Sequence, residues 1–268
     1  MTVVQFLIGV AAIAVSLSLF LFVAWIIQQR TGNSGWVDTI WTIAVGSTGL
    51  VAALAPLSDA GVQPRQWLVA AFAAVWALRL GMHIAYRTTL ISDDPRYAKM
   101  SREWGANAPR MMFRFLQIQA IVSVPLAASM FIAAQNPAPI MRVQDWAAVA
   151  ILVIAVLGEG LADWQMQQFR ANPANKGGVI DTGLWSLSRH PNYFFETLGW
   201  LAYPLLAIDL SGTYDWGWLA FSGLAVMYWL LIYVSGIPLL EEHMLETRGE
   251  KFRAYQQRTN AYFPGPPK

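Results

Sequence analysis

Residues 3–27 read VVQFLIGVAAIAVSLSLFLFVAWII and contain no Asp, Glu, Lys or Arg. About 20 such residues in a helix span the hydrocarbon core of a bilayer. No basic residue precedes the run, and Gln28-Gln29-Arg30 follows it where a secretion signal would carry a small-residue cleavage site. The stretch therefore reads as a retained transmembrane helix. Windows of the same kind recur at about 37–57, 66–86, 112–134, 145–166, 193–210 and 215–239. The expected fold is all-α: a polytopic integral membrane protein with seven transmembrane helices.

Composition points the same way. Of 268 residues, 56% are hydrophobic and 13% charged, against about 25% charged in an average soluble domain. Mean hydropathy is +0.41. The absence of cysteine excludes disulfides, thiolate catalysis and cysteine-ligated metal. His83, His190 and His243 are scattered without metal-ligand spacing, so no metal is expected. The net charge of +2 says little about partners. No basic cluster with interleaved aromatics lies outside the spans, which argues against nucleic acid. Trp36, Trp67, Trp146, Trp216 and Trp218 fall near span ends, the places an interfacial aromatic belt occupies.

Positive charge sets an expected orientation. Fifteen of the 18 Lys and Arg residues lie after the first span, between the third and fourth, between the fifth and sixth, and in the tail. The opposite loops hold only Arg65 and Arg142, and Arg79 lies within the third span. The N-terminus is thus expected outside and the C-terminus in the cytoplasm. The long segments 87–111, 167–192 and 240 onward then share the cytoplasmic side, where a site for a soluble cofactor would be built.

Ionisable residues at membrane depth cost several kcal/mol unless they face a partner or a cavity. Asp38 stands in GWVDTIWT (35–42), Arg79, His83, Tyr86 and Arg87 in the third span, and Glu159 and Asp163 in the fifth. Spacings of four put Arg79, His83 and Arg87 on one helical stripe, Glu159 and Asp163 on another, and Asn192 and Glu196 on a third. Any one of these could be interhelical glue, and Asp38 could simply cap its helix. So many together suit a polar cavity. The densest cluster is GLWSLSRHPNYFFETLGW (183–200). Pro191 suits the first turn of a helix. The positive dipole end of that helix beside Arg189 and His190 suits an anion, with Asn192 and Glu196 able to hold an amide or hydroxyl.

RHPNYFFE (189–196), together with EEHMLETRGEKFRAYQQRTNAYFP (241–264), resembles the C-terminal half of the steroid 5α-reductase family and its bacterial relatives. The same broad superfamily holds isoprenylcysteine carboxyl methyltransferases and sterol reductases. The resemblance is strongest over about residues 155–264. In the first half it extends to GWVDTIWT and DDPRYAKMSREWG (93–105). It implies one membrane-embedded domain over 1–268, with the substrate cavity mainly from 1–135 and the cofactor half from about 145–268. The bacterial inner membrane is the implied location.

The implied reaction is NADPH-dependent reduction of a carbon–carbon double bond conjugated to a ketone, as in 3-oxo-Δ4 steroids or another hydrophobic enone. By position, the family's nicotinamide-binding Asn falls on Asn192 and its companion Glu on Glu196. The phosphate- and ribose-binding Asp and Arg fall on Asp163 and Arg170. The Arg of a His-x-x-x-Arg-Thr pattern falls on Arg87, with His83 ahead of it. Arg189, His190 and Tyr193 complete the motif. The tail is implied to cover the cofactor, with Glu242 at the end of the last span, Tyr255 against adenine, and Arg253 or Arg258 on phosphate. A helix lying at the headgroups would have a similar pattern. The family's Gln-Glu pair is absent. Asp38 is its nearest acid and Tyr86 the nearest tyrosine, although a strict register puts Ile84 at the tyrosine position.

Two rivals share parts of this pattern. A membrane methyltransferase using S-adenosylmethionine would keep the RHPxY core and the EE pair, but its cofactor has no phosphate for the arginines to meet. A transporter would suit buried charge, yet no paired repeats are visible.

Overall fold

The computed structural model describes residues 1–57, 61–140 and 142–267, and Lys268, one of the tail cations counted above, lies outside them. Among the described residues every regular element is a helix. The longer ones are α1 (Val3–Thr31), α2 (Gly35–Ala53), α3 (Pro64–Thr89), α4 (Pro95–Trp104), α5 (Ala108–Ala134) and α6 (Val143–Ala171). The later ones are α7 (Leu184–Leu187), α8 (Pro191–Trp200), α9 (Ala202–Ala207), α10 (Phe221–Trp229), α11 (Ile237–Arg248) and α12 (Glu250–Arg258). Among the described residues, six helical stretches are long and apolar enough to cross a membrane: α1, α2, α3, Pro95–Ala134, α6 and Asp215–Arg248.

The window expected at 193–210 is not one of the six. It folds as α8 and α9, ten and six residues long, with a break at Leu201. Pro204 has no N–H for the carbonyl of Trp200 four residues back, which removes one helical hydrogen bond where α8 gives way to α9. The chain divides into two compact units. Unit 1 runs from Met1 to Asp145 and resumes over Tyr203–Val226; unit 2 comprises Trp146–Ala202 and the chain from Met227 onward.

In unit 1, α1 opens with a capping box in which Gln5 N–H donates to Thr2 Oγ1 at 3.2 Å and Thr2 N–H to Gln5 Oε1 at 2.8 Å. It buries only the stripe Ile13, Leu17, Leu21 and Ala24, leaving Val4, Ile8, Val15 and Leu19 outward. An outward face that apolar is stable against lipid, not water. Glycines then let α2 approach its neighbours closely. A Cβ on Gly46 would stand 2.2 Å from Ala77 Cβ of α3, and one on Gly49 would stand 2.0 Å from Met130 Sδ of α5.

The two arginines that departed from the charge pattern are both committed. Arg65, only 2% exposed, donates to Asp145 through Nη1 at 2.7 Å and Nη2 at 3.0 Å, and to the carbonyls of Leu206, Ala138 and Pro139. Arg142 Nη2 reaches Asp145 Oδ1 at 2.9 Å.

In unit 2, α6 and α8 pack antiparallel. A Cβ on Gly158 would lie 2.4 Å from the ring of Phe195, and one on Gly199 would lie 3.4 Å from Ala155 Cβ. The last apolar stretch is interrupted by a π-helical turn over Leu230–Val234, in which Ser235 N–H donates to Leu230 O at 2.8 Å. Gly236 follows, and a Cβ there would lie 2.2 Å from the carbonyl oxygen of Leu231. Only glycine fits that close approach, after which α11 begins.

Candidate functional site

The helix expected at Pro191 begins there, and the loop before it is tied to the C-terminal segment. Ser188 Oγ donates to Tyr262 O at 2.8 Å and accepts from His190 N–H at 3.1 Å. Arg189 N–H donates to Asn260 O at 2.9 Å, and Gly265 N–H to Leu187 O at 3.0 Å. The hub is Glu241 on α11. Arg189 meets it bidentately, Nε at 2.7 Å and Nη2 at 3.2 Å, while Gln256 Nε2 donates to it at 2.7 Å. His190 Nε2 lies 2.9 Å from the same carboxylate.

Arg189 Nη1 is spent on the carbonyls of Thr259 at 2.6 Å and Gln256 at 3.2 Å, at the C-terminal end of α12. A guanidinium there satisfies carbonyls that the helix leaves open. Arg189 thus positions the frame of the site, with most of its donors held by protein groups.

His190 is 2% exposed and stacks on Tyr193, ring centroids 5.4 Å apart. Burial holds its imidazole below the usual histidine range, with Glu241 pulling the other way and Arg189 adding to the depression. Beyond it, Asn192 is half-buried in the first turn of α8, and among the described residues its carboxamide makes no hydrogen bond. Glu196, one turn on, is buried and accepts from Trp200 Nε1 at 2.8 Å. Asn192 and Glu196 therefore share a face, the amide outermost.

Extending the α6/α8 register by one turn from Gly158 and Phe195 sets Ala162 and Asp163 level with the start of α8. Trp185 Nε1 donates to Ala162 O at 3.0 Å, which fixes α7 at the same level. Asp163 is half-buried there, and Arg170 is exposed two turns later. Two residues of the tail differ in exposure. Tyr255 is 2% exposed, and its hydroxyl donates to Trp185 O. Burial raises the Tyr255 phenol above its ordinary value, so it stays a donor, and an inward ring leaves no face for a base to stack on. Glu242 is exposed, and it is the neighbouring Glu241 that enters the network. Arg253 is exposed and stands 3.5 Å from Glu250, while Arg258 pairs with Asp181.

Unit 1 gathers a second cluster. Arg96 bridges two carboxylates: Nε donates to Asp94 Oδ1 at 2.9 Å, and Nη2 to Asp94 Oδ2 at 3.0 Å and to Asp38 Oδ2. Tyr97 hydroxyl donates to Asp38 Oδ1 at 2.7 Å. Arg87 Nη2 reaches Asp94 Oδ2 at 3.0 Å, so Arg87 and Asp38 belong to one chain of charges. Burial alone would raise the Asp94 carboxyl, but Arg96 and Arg87 hold it below its ordinary value. Tyr86 is 60% exposed on α3, with His83 exposed one turn earlier. The tyrosine partnered with Asp38 is thus the buried Tyr97 of α4. The DDPRY stretch carried the signal: Asp94 caps α4, accepting from Arg96 N–H at 3.0 Å, and Pro95 starts it.

Comparison with known proteins adds a family. The model of the family described as "Protein of unknown function (DUF1295)" matches residues 24–259, most of the chain, and the chain belongs to that family. It is similar to the "Uncharacterized protein C594.04c" of Schizosaccharomyces pombe, 24% identical over 271 residues, covering 90% of this chain and 76% of that protein. No solved structure matches.

Proposed function

We propose that this DUF1295 family member is an NADPH-dependent membrane reductase of a conjugated enone, with a 3-oxo-Δ4 steroid or a similar hydrophobic ketone as substrate. One observation carries the reading: Asn192 holds an unpartnered carboxamide at the start of α8, on the same face as the buried Glu196. A carboxamide pairs with another carboxamide through one donor and one acceptor, which fits a nicotinamide amide. The Arg189–Glu241–His190–Gln256 frame holds that turn in place. Asp163, level with it, suits a ribose hydroxyl. Arg170 and Arg253, both exposed, suit phosphate, and Arg87 is assigned to phosphate on unit 1. NADPH, when bound, supplies the hydride that adds to the β-carbon of the enone. In unit 1, Asp38 orients the Tyr97 hydroxyl, and that pair is assigned to polarising the ketone and returning a proton to the α-carbon.

The resemblance of RHPNYFFE and the 241–264 segment to the steroid 5α-reductase family supports the assignment. The Lys and Arg distribution supports an orientation with the N-terminus outside and the tail cytoplasmic, α8 and α9 together completing a seventh crossing, in a bacterial inner membrane. One observation favours the methyltransferase rival: Arg189 is engaged by protein groups and leaves one cation fewer for phosphate. The experiment is NADPH oxidation by detergent-solubilised protein with progesterone, the product identified by mass. A gain of two hydrogens tied to NADPH loss is expected. Asn192→Ala and Glu196→Ala are expected to lose NADPH binding and turnover together. Failure of NADPH to bind, with S-adenosylmethionine binding instead, overturns the reductase reading.

A further inference from the structure

Unit 1 carries a basic surface that the proposed reaction does not use. Arg102 near the end of α4, and Arg110 and Arg114 in the first two turns of α5, are exposed, and among the described residues their guanidinium groups make no ion pair or hydrogen bond. Lys99 is exposed on the same α4, and Glu103 is the one exposed acid between residues 99 and 114. Positive charge near span ends is common in membrane proteins. What exceeds that pattern here is the apolar surface directly beside it.

Phe113 lies between Arg110 and Arg114 on α5 and meets two rings of α1: Phe22 at 6.3 Å and Trp25 at 5.6 Å between centroids. Phe22 and Trp25 are themselves 6.0 Å apart. Phe22 is 42% and Phe113 36% exposed, so the cluster opens outward from the bundle. Trp25 Nε1 donates to Pro109 O at 2.9 Å, pinning the first turn of α5 to α1. Trp25 lies near the end of the first apolar run, where tryptophans are enriched at the headgroup level. Arg110 then stands at that level, and Phe22 lies about a turn deeper along α1. Arginines four apart on a helix have Cβ atoms about 5–6 Å apart, close enough for both guanidinium groups to grip one phosphate.

We propose that Arg110 and Arg114 hold the phosphate of an anionic phospholipid whose acyl chain lies along Phe113 and Phe22. Cations at headgroup depth above an exposed aromatic cleft match a ligand that is anionic at one end and apolar at the other. Phosphatidylcholine offsets its phosphate with a cationic choline that these arginines repel.

The test is native mass spectrometry of the full chain released from micelles with phosphatidylglycerol and phosphatidylcholine of identical acyl chains in equal amounts. The wild type is expected to retain phosphatidylglycerol preferentially. The double substitution R110Q/R114Q is expected to lower that preference about 30-fold, from the typical contribution of two basic residues near a lipid surface. R110K/R114K is expected to keep most of it, and raising the salt in the wild-type sample is expected to reduce it. No preference in the wild type, or an unchanged preference in R110Q/R114Q, overturns the proposal. Because neither arginine has a protein partner, all variants are expected to melt with the wild type.

Discussion

Replacing Glu241 by alanine removes the acceptor on which three donors converge: Arg189, His190 and Gln256. The Arg189 and Glu241 side chains are 10% and 13% exposed, so the pair is largely cut off from water. Breaking a buried ion pair by deleting one partner costs about 3–5 kcal/mol, because the remaining charge has no compensation. The residual exposure places Glu241→Ala at the lower end, about 3 kcal/mol. With about 2–4 °C lost per kcal/mol in a chain of this size, the midpoint of thermal unfolding falls by about 6–12 °C.

Tryptophan fluorescence in a fixed detergent gives the midpoint, and protease cleavage within residues 259–265 reports release of the tail. A double-mutant cycle sharpens the test. Arg189→Ala together with Glu241→Ala should cost far less than the sum of the single changes, since either alone dismantles the same pair. An unchanged midpoint with an undiminished barrier to cleavage, or strict additivity in the cycle, would refute the view that Glu241 holds the site together.

Other outcomes follow from the same contacts. Acid should destabilise the protein in two stages. Burial depresses His190, so the unfolded chain binds more protons, and stability present above about pH 6.5 is lost as pH falls through the lowered native value. Asp94, held low by Arg96 and Arg87, contributes stability present above about pH 3.8 and lost as pH falls further. Urea midpoints against pH check both, and His190→Gln should flatten the first stage. Gly158→Val forces a side chain into the Phe195 ring and should cost about 1–3 kcal/mol, read from the same urea series. Asp38→Asn should spare NADPH binding, measured by fluorescence, and slow enone reduction; full turnover would remove Asp38 from the chemistry. Arg65→Ala leaves Asp145 with Arg142 alone and should lower the thermal midpoint more than Arg253→Ala, whose partner is exposed.

The long helices were legible because a lipid-facing helix needs only length and apolarity. The run at 3–27 extends to Thr31, where Gly32 closes it with a positive φ of 68°. The start of α8 was legible from Pro191 alone. The break at Leu201 had its own signal in Pro204, which a hydropathy window averages away. The choice between Glu241 and Glu242 was not legible. Adjacent residues on a helix point about 100° apart, and the π turn over Leu230–Val234 shifts the helical phase just before them, so hydropathy alone does not say which of the two meets Arg189. Tyr97 was missed for a different reason. Its pairing with Asp38 bridges 59 positions and exists only after residues 90–94 turn α4 back toward α2. Arg189 was visible as a cation, but its partners come from the chain 52 to 71 positions later.

That separation has a consequence for how the protein is made and handled. When α8 leaves the ribosome, Arg189 and His190 have no counter-ion, and the carbonyls of Gln256, Thr259 and Asn260 that satisfy Arg189 have yet to be synthesised. The α8 segment therefore waits as an incomplete half, vulnerable to chaperones and proteases, until α11, α12 and the turn beyond them emerge and clasp it. A reporter or affinity tag joined directly after α12 would compete with that clasp, whereas one placed before α1 would leave it untouched.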